Sequence, residues 1–158
     1  TPFNRHQTSG YLLNHLAPIY PDDTDIRSKD RRQVIKNLNH PMKKYLALDE
    51  ILHTAQAELV HAGAQSSVEA VVASSLMSDV LTIEEKNVLL ISNLKTVQVV
   101  RTADVIEAGV ILLISQEPII RDTSQLAQEL NITLCRTPLS LFETCYRIGT
   151  LIYKDNHP

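Results

Sequence analysis

Two continuous apolar runs dominate the chain, Asn87-Val-Leu-Leu-Ile-Ser92 and Val110-Ile-Leu-Leu-Ile-Ser115. A short apolar run bounded by polar residues is how a strand buried on both faces reads. Ile132–Cys135 is a shorter version, and Glu58–Ala62 and Glu69–Ala73 are two further candidate strands. Between them the apolar positions recur at helical spacing. Ala47–Gln56 places Leu48, Ile51, Leu52 and Ala55 on one face. Ser75–Leu81 does the same with Leu76, Met77, Val80 and Leu81, and Ser75 is a favoured N-cap. Thr96–Ala108 carries Val97, Val100, Val105, Ile106 and Ala108, with Gly109 placed to stop the helix. Asp122 caps a helix to Leu130 whose Leu126, Ala127 and Leu130 face inward. The last helix, Pro138–Tyr153, takes Thr137 as cap and Pro138 at its first position, with Leu141, Cys145, Ile148 and Ile152 as its apolar stripe. Strands alternating with helices predict parallel pairing through right-handed crossovers. The expected fold is α/β: a three-layer domain with a mostly parallel sheet and helices on both faces.

The pattern changes near residue 41. Of the first 41 positions 12 are apolar, against 57 of the remaining 117. Pro18, Pro21 and Pro41 punctuate the first stretch, and Asp25 caps one candidate helix over Ile26–Leu38. Residues 1–41 are therefore expected to form an appendage or linker, partly helical, and residues 42–158 the α/β domain.

Composition narrows the function mainly by exclusion. Lys plus Arg is 15 and Asp plus Glu is 18, a net charge of −3, so no nucleic-acid partner is expected. No apolar run approaches the ~18 residues of a membrane span, so no membrane partner is expected either. The four glycines form neither GxGxxG nor GxxxxGKS/T, the two commonest backbone cradles for phosphate. The six histidines include no HxH or HExxH pair and no Cys/His cluster, so no metal and no other cofactor is called for. Only Cys135 and Cys145 are thiols, and no basic-then-apolar leader is visible in the sequence, so no signal peptide is expected. Free thiols in a reducing, cytoplasmic compartment are the expectation.

In an open parallel sheet, ligands bind at the carboxyl ends of the strands. Those ends are Ser92-Asn93, Ser115-Gln116 and Arg136-Thr137. Free N–H groups at the following helix starts could hold an anion there. The candidate ligand set is Ser92, Asn93, Thr96, Arg101, Ser115, Gln116, Thr137 and Ser140. The same residue types are preferred as caps and turn formers, and a surface arginine such as Arg101 commonly pairs with an acid such as Asp104 or Glu107. No catalytic residue is assigned: no GxSxG elbow is present, and both cysteines fall on predicted core positions. Phe142 and Tyr146 on the last helix, with Tyr153 beyond them, are expected to pack against the core or a partner subunit.

Taken together, Ser74-Ser-Leu-Met-Ser-Asp-Val80, Asn87–Ser92, Val97-Gln-Val-Val-Arg-Thr-Ala-Asp-Val-Ile-Glu-Ala-Gly109, Val110–Ser115, Gln125-Leu-Ala-Gln-Glu-Leu-Asn-Ile132 and Thr137-Pro-Leu-Ser-Leu-Phe-Glu-Thr-Cys145 resemble the DRTGG domain family, in unbroken order from Leu48 to Ile152. Such domains occur alone, at the N-terminus of some phosphate acetyltransferases and between CBS modules of some bacterial inorganic pyrophosphatases. They are similar to the N-terminal domain of HPr kinase/phosphorylase. Where the family carries Asp-Arg, this chain reads Ser92-Asn93-Leu94-Lys95, and where it carries Thr-Gly-Gly, this chain reads Ile114-Ser115-Gln116-Glu117. Gly-Gly permits close backbone approach that Gln116 and Glu117 do not. The likeness is to the stand-alone, motif-degenerate branch found in anaerobic bacteria. It implies no catalysis by the domain itself and a regulatory, dimerising or sensing role. The expected function is a non-catalytic regulatory or assembly module, a homodimer that modulates a partner enzyme or signalling protein. The alternative is a sensor of a small anionic or nucleotide ligand at the strand ends.

Overall fold

The computed structural model describes residues 45–153. The candidate helix at Ile26–Leu38 and the appendage as a whole lie outside the described residues. The elements run β1 (Leu46–Ala47), α1 (Leu48–Thr54), β2 (Glu58–His61), β3 (Ser67–Val68), β4 (Ala70–Ala73), α2 (Met77–Val80), β5 (Val88–Ser92), α3 (Val97–Val105), β6 (Val110–Ile114), α4 (Arg121–Glu129), β7 (Thr133–Thr137) and α5 (Leu141–Tyr153).

Five strands form one sheet in the order β2-β7-β6-β5-β4, and β1 and β3 make a separate two-stranded ribbon. β4, β5, β6 and β7 are parallel. β2 joins β7 antiparallel, with an irregularity between Leu59 and His61. Every residue of β5 is buried, as its unbroken apolar run requires. Alternation along the strands divides the core in two. Val88, Leu90, Ile111, Leu113 and Leu134 point to one face, where they meet Met77 and Val80 of α2, Val99, Val100 and Ala103 of α3 and Ala127 of α4. Leu89, Ile91, Val110, Leu112 and Cys135 point to the other, against Ile51 of α1 and Ile148 and Ile152 of α5. Each such fully buried aliphatic side chain is worth about 1.5–3 kcal/mol. The expected three-layer α/β fold is the one observed.

The split of helices between faces follows from the connections. Crossovers of one hand that step in one direction across a sheet leave their helices on one face. From β4 to β7 every step goes to the adjacent strand in that direction, so α2, α3 and α4 share a face. After β7 the chain passes to the opposite face as α5.

Several element ends depart from expectation. β7 continues to Thr137, two residues beyond the predicted strand, because Arg136 and Thr137 pair with Leu113 and Ile114 of β6. α5 starts at Leu141 rather than Pro138. Its cap is Ser140, whose Oγ accepts the Glu143 N–H at 3.1 Å. Thr137 is unavailable as a cap because its hydroxyl is buried against α1, donating to Ala55 O at 2.6 Å. Ser75 does not cap α2 either; its hydroxyl bonds the Asn93 side chain instead, and α2 begins at Met77. α4 begins one residue early, so Asp122 lies inside its first turn, where a carboxylate favours the helix dipole. Leu130 is exposed, and the buried α4 positions are Thr123 and Ala127. Val105 is also exposed, at 69%.

Gly109 is not the stop of α3. The residue that turns left-handed after that helix is Glu107, φ 55°, and none of the described glycines has positive φ. Gly109 leaves room for the end of the Asn87 side chain, whereas Gly63 is needed for close approach, since a Cβ there would collide with the backbone of residues 131–133.

Candidate functional site

The connections place a topological switch between β6 and β7. The chain leaves β6 toward α4 on one face and leaves the adjacent β7 toward α5 on the other, so the two loops diverge. That is where an open sheet forms a crevice beyond its carboxyl edge. A cleft of about 440 Å³ lies there, lined by Ile114, Ser115, Gln116 and Glu117 after β6, Pro138, Leu139 and Ser140 after β7, and Lys95 from the β5–α3 loop.

The eight candidate residues divide on this geometry. Ser115, Gln116 and Ser140 line the cleft. Ser92 and Thr137 are fully buried beneath the rim. Ser92 Oγ accepts the Leu94 N–H at 3.1 Å and so turns the chain toward α3. Thr137 Oγ1 also accepts the Leu139 N–H at 3.2 Å. Asn93 is exposed and joined to Ser75. Thr96 precedes α3 with no hydrogen bond from its side chain to the helix start, and no part of it lines the cleft. Arg101 is elsewhere. It lines a separate depression of about 470 Å³ with Leu81, Val97, Gln98, Thr102 and Val105. Neither acid suggested by the sequence holds it, and Glu107 pairs with Lys86 at 2.7 Å.

The hydroxyls at the cleft are already engaged. Ser115 Oγ donates to Glu117 O at 2.8 Å, and Ser140 Oγ caps α5. Arg136 is drawn away from the cleft centre. One of its nitrogens donates to Gln116 O at 3.3 Å and the other forms a 2.6 Å ion pair with Glu58. The cation that remains on the wall is Lys95 and the acid is Glu117, in an otherwise neutral lining. The Lys95 loop is fixed by Thr123 of α4, whose hydroxyl donates to Lys95 O at 2.9 Å. The arrangement can hold a small polar or anionic group. It offers no nucleophile paired with a base. Burial pushes the Cys135 thiol up to about 12 and raises that of Cys145 as well, which keeps both protonated and weakly nucleophilic.

Sequence reasoning missed Lys95, although it shares a loop with Asn93 and Thr96. A residue type alone carries no sign of pointing into a cleft. It also missed a larger groove of about 670 Å³ between β2 and α4, lined by Val60, His61, Arg121, Ser124, Gln125, Gln128 and Glu129. Those residues are some 60 positions apart, and only the antiparallel docking of β2 brings them together. Among the described residues no group of three His, Cys, Asp or Glu is placed to hold a metal, and no helix is long and apolar enough to cross a membrane.

No protein-family model matches the chain, and no curated protein matches it. Among solved structures the chain is similar to the CBS and DRTGG domains of the regulatory region of Clostridium perfringens pyrophosphatase, crystallised with the activator diadenosine tetraphosphate. The TM-score is 0.58 at 17% identity, over 67% of this chain and 47% of that one. The chain thus spans about half the length of the structure it matches, and at this identity the likeness is one of fold.

Proposed function

We propose that this chain is a non-catalytic regulatory or assembly module, homodimeric, that modulates a partner enzyme or signalling protein. The observation that carries this reading is the fate of the polar side chains at the sheet's carboxyl edge. Ser92, Ser115 and Ser140 spend their hydroxyls on backbone groups of their own turns and caps, and Thr137 spends its hydroxyl on Ala55 O and the Leu139 N–H. Such a rim sets loop conformation and does not supply a reactive group. The fold likeness to a regulatory region supports the same reading. Sedimentation velocity at tens of micromolar is expected to give twice the 17.7 kDa chain mass. A monomer at every concentration overturns the assembly part.

A second reading is favoured by the β6–β7 cleft, with Lys95 on its wall. Here the module senses a small anionic or nucleotide ligand, and the neighbour's activator makes diadenosine tetraphosphate the first probe, with inorganic phosphate beside it. Ligand at 100 times its Kd adds about 2.7 kcal/mol to stability. A raised melting temperature supports this reading, and no shift with either probe removes it.

A further inference from the structure

α5 presents an aromatic face that nothing among the described residues covers. Its exposed positions are Phe142, Tyr146, Thr150 and Tyr153, at the four, four and three spacing of one helical stripe. The three rings are 82%, 65% and 47% exposed. Soluble chains seldom leave three large rings in line on one helix unless a partner covers them. The stripe carries no charge. The charged residues beside it, Glu143 and Arg147, are paired with each other at 2.7 Å. Along it, beside Thr150, stands Gly149, where a Cβ would meet nothing within 4 Å beyond its chain neighbours and the backbone of its own helix.

We propose that this face of α5 is the surface on which a second copy of the chain docks, by an antiparallel α5–α5 crossing about a two-fold axis. This rests on the homodimer reading above and names its interface. An isologous contact sets a patch against itself, so a charged patch repels its copy while an uncharged one does not. With a net charge of −3 per chain, a neutral face is where two copies meet at least electrostatic penalty. A tyrosine hydroxyl both donates and accepts, so Tyr146 and Tyr153 can pair with their own copies. The small residues Gly149 and Thr150 let the rings of one helix seat beside the backbone of the other. Each aromatic side chain can bury about 150–250 Å², so these exposed fractions supply roughly 400 Å² per copy. Two copies then reach about half of the ~1,600 Å² of a standard interface from the rings alone. A reversible dimer with micromolar dissociation is the expected strength.

The test is sedimentation velocity of the full chain and of the double variant Phe142→Glu, Tyr146→Glu across 1–100 µM protein. Far-ultraviolet circular dichroism confirms that the exposed substitutions leave the fold intact. A dimer in the parent and a monomer in the folded double variant support the proposal, with the dissociation constant raised at least tenfold. A dimer that persists in the double variant overturns this interface and leaves the homodimer reading standing. A parent chain that stays monomeric at 100 µM overturns both. If the double variant fails to fold, Tyr146→Ser alone is read the same way, and an unchanged dissociation constant then overturns the proposal.

Discussion

Four described residues accept backbone conformations that usually fall to glycine, Asn87 between elements and three others at helix ends. α1, α3 and α4 each end in the same manner, with Gln56 (φ 49°), Glu107 (φ 55°) and Asn131 (φ 55°) in the left-handed region. The next N–H closes the turn in each: Ala57 to Leu52 O at 2.8 Å, Ala108 to Ala103 O at 2.8 Å and Ile132 to Ala127 O at 2.9 Å. This double-bonded ending satisfies two otherwise orphaned carbonyls. Its usual signal is a glycine, which is why Gly109 reads as a stop in the sequence. The contacts of Ala57, Ala108 and Ile132 with the core decide the matter instead. Gln56 is exposed, so Gln56→Gly removes only the Cβ penalty. The variant is expected to gain about 0.5–1 kcal/mol, read from the urea midpoint. Cys135 makes a second residue-scale prediction. It is fully buried, and its thiol lies at about 12 against an ordinary 9.0. At pH 8 a thiol reagent should modify Cys145 and reach Cys135 only on unfolding. Below pH 9 both folded and unfolded chains keep the Cys135 proton, so the group gives no pH dependence. Above pH 9 the unfolded chain loses it first, and this contribution to stability is lost as pH rises toward 12.

At the scale of elements, Thr137 shows how one side chain sets where two of them end. In the sequence, Thr-Pro reads as a cap and a first helical position. In the fold, β7 runs on through Thr137, and the hydroxyl ties the last turn of α1 to the end of β7 while holding Leu139 N–H. Thr137→Val keeps the shape and leaves two buried backbone groups without their partner. The expected loss is about 1–3 kcal/mol by chemical denaturation. A loss below ~0.5 kcal/mol means that water replaces the hydroxyl. The entry to α5 is then left to Ser140. The β5 and β6 strands were legible because burial on both faces leaves only apolar residues to write. The separate ribbon was less so: β1 and β3 have two residues each, too few to show alternation.

At the scale of the molecule, the direction of the chain through the sheet sets the chemistry available. Four parallel strands in sequential order give no crevice between β4 and β6, because their loops turn toward the same face. The one switch, between β6 and β7, is where the cleft opens. Lys95 reaches it and Arg101, on the next helix, does not. If a polyphosphate raises the melting temperature, Lys95→Ala should abolish the shift and Arg101→Ala should leave it unchanged. An equal loss in both variants moves the ligand away from this cleft. Of the eight residues expected at a ligand rim, three line the cleft, because a strand end is visible in the sequence and the direction in which its loop departs is not.

By itself the sequence determined the alternation of strands and helices, the unbroken burial of β5 and near-complete burial of β6, and hence the three-layer class. These follow from local periodicity and from the exclusion of polar groups from a doubly covered sheet. The tertiary structure alone decided which hydroxyls became turns and caps, which glycines are needed for approach rather than for conformation, and which cation stands in the cleft. It also decided that three rings of α5 face outward. Each of those depends on contacts between residues distant along the chain, and no local pattern encodes what will lie opposite.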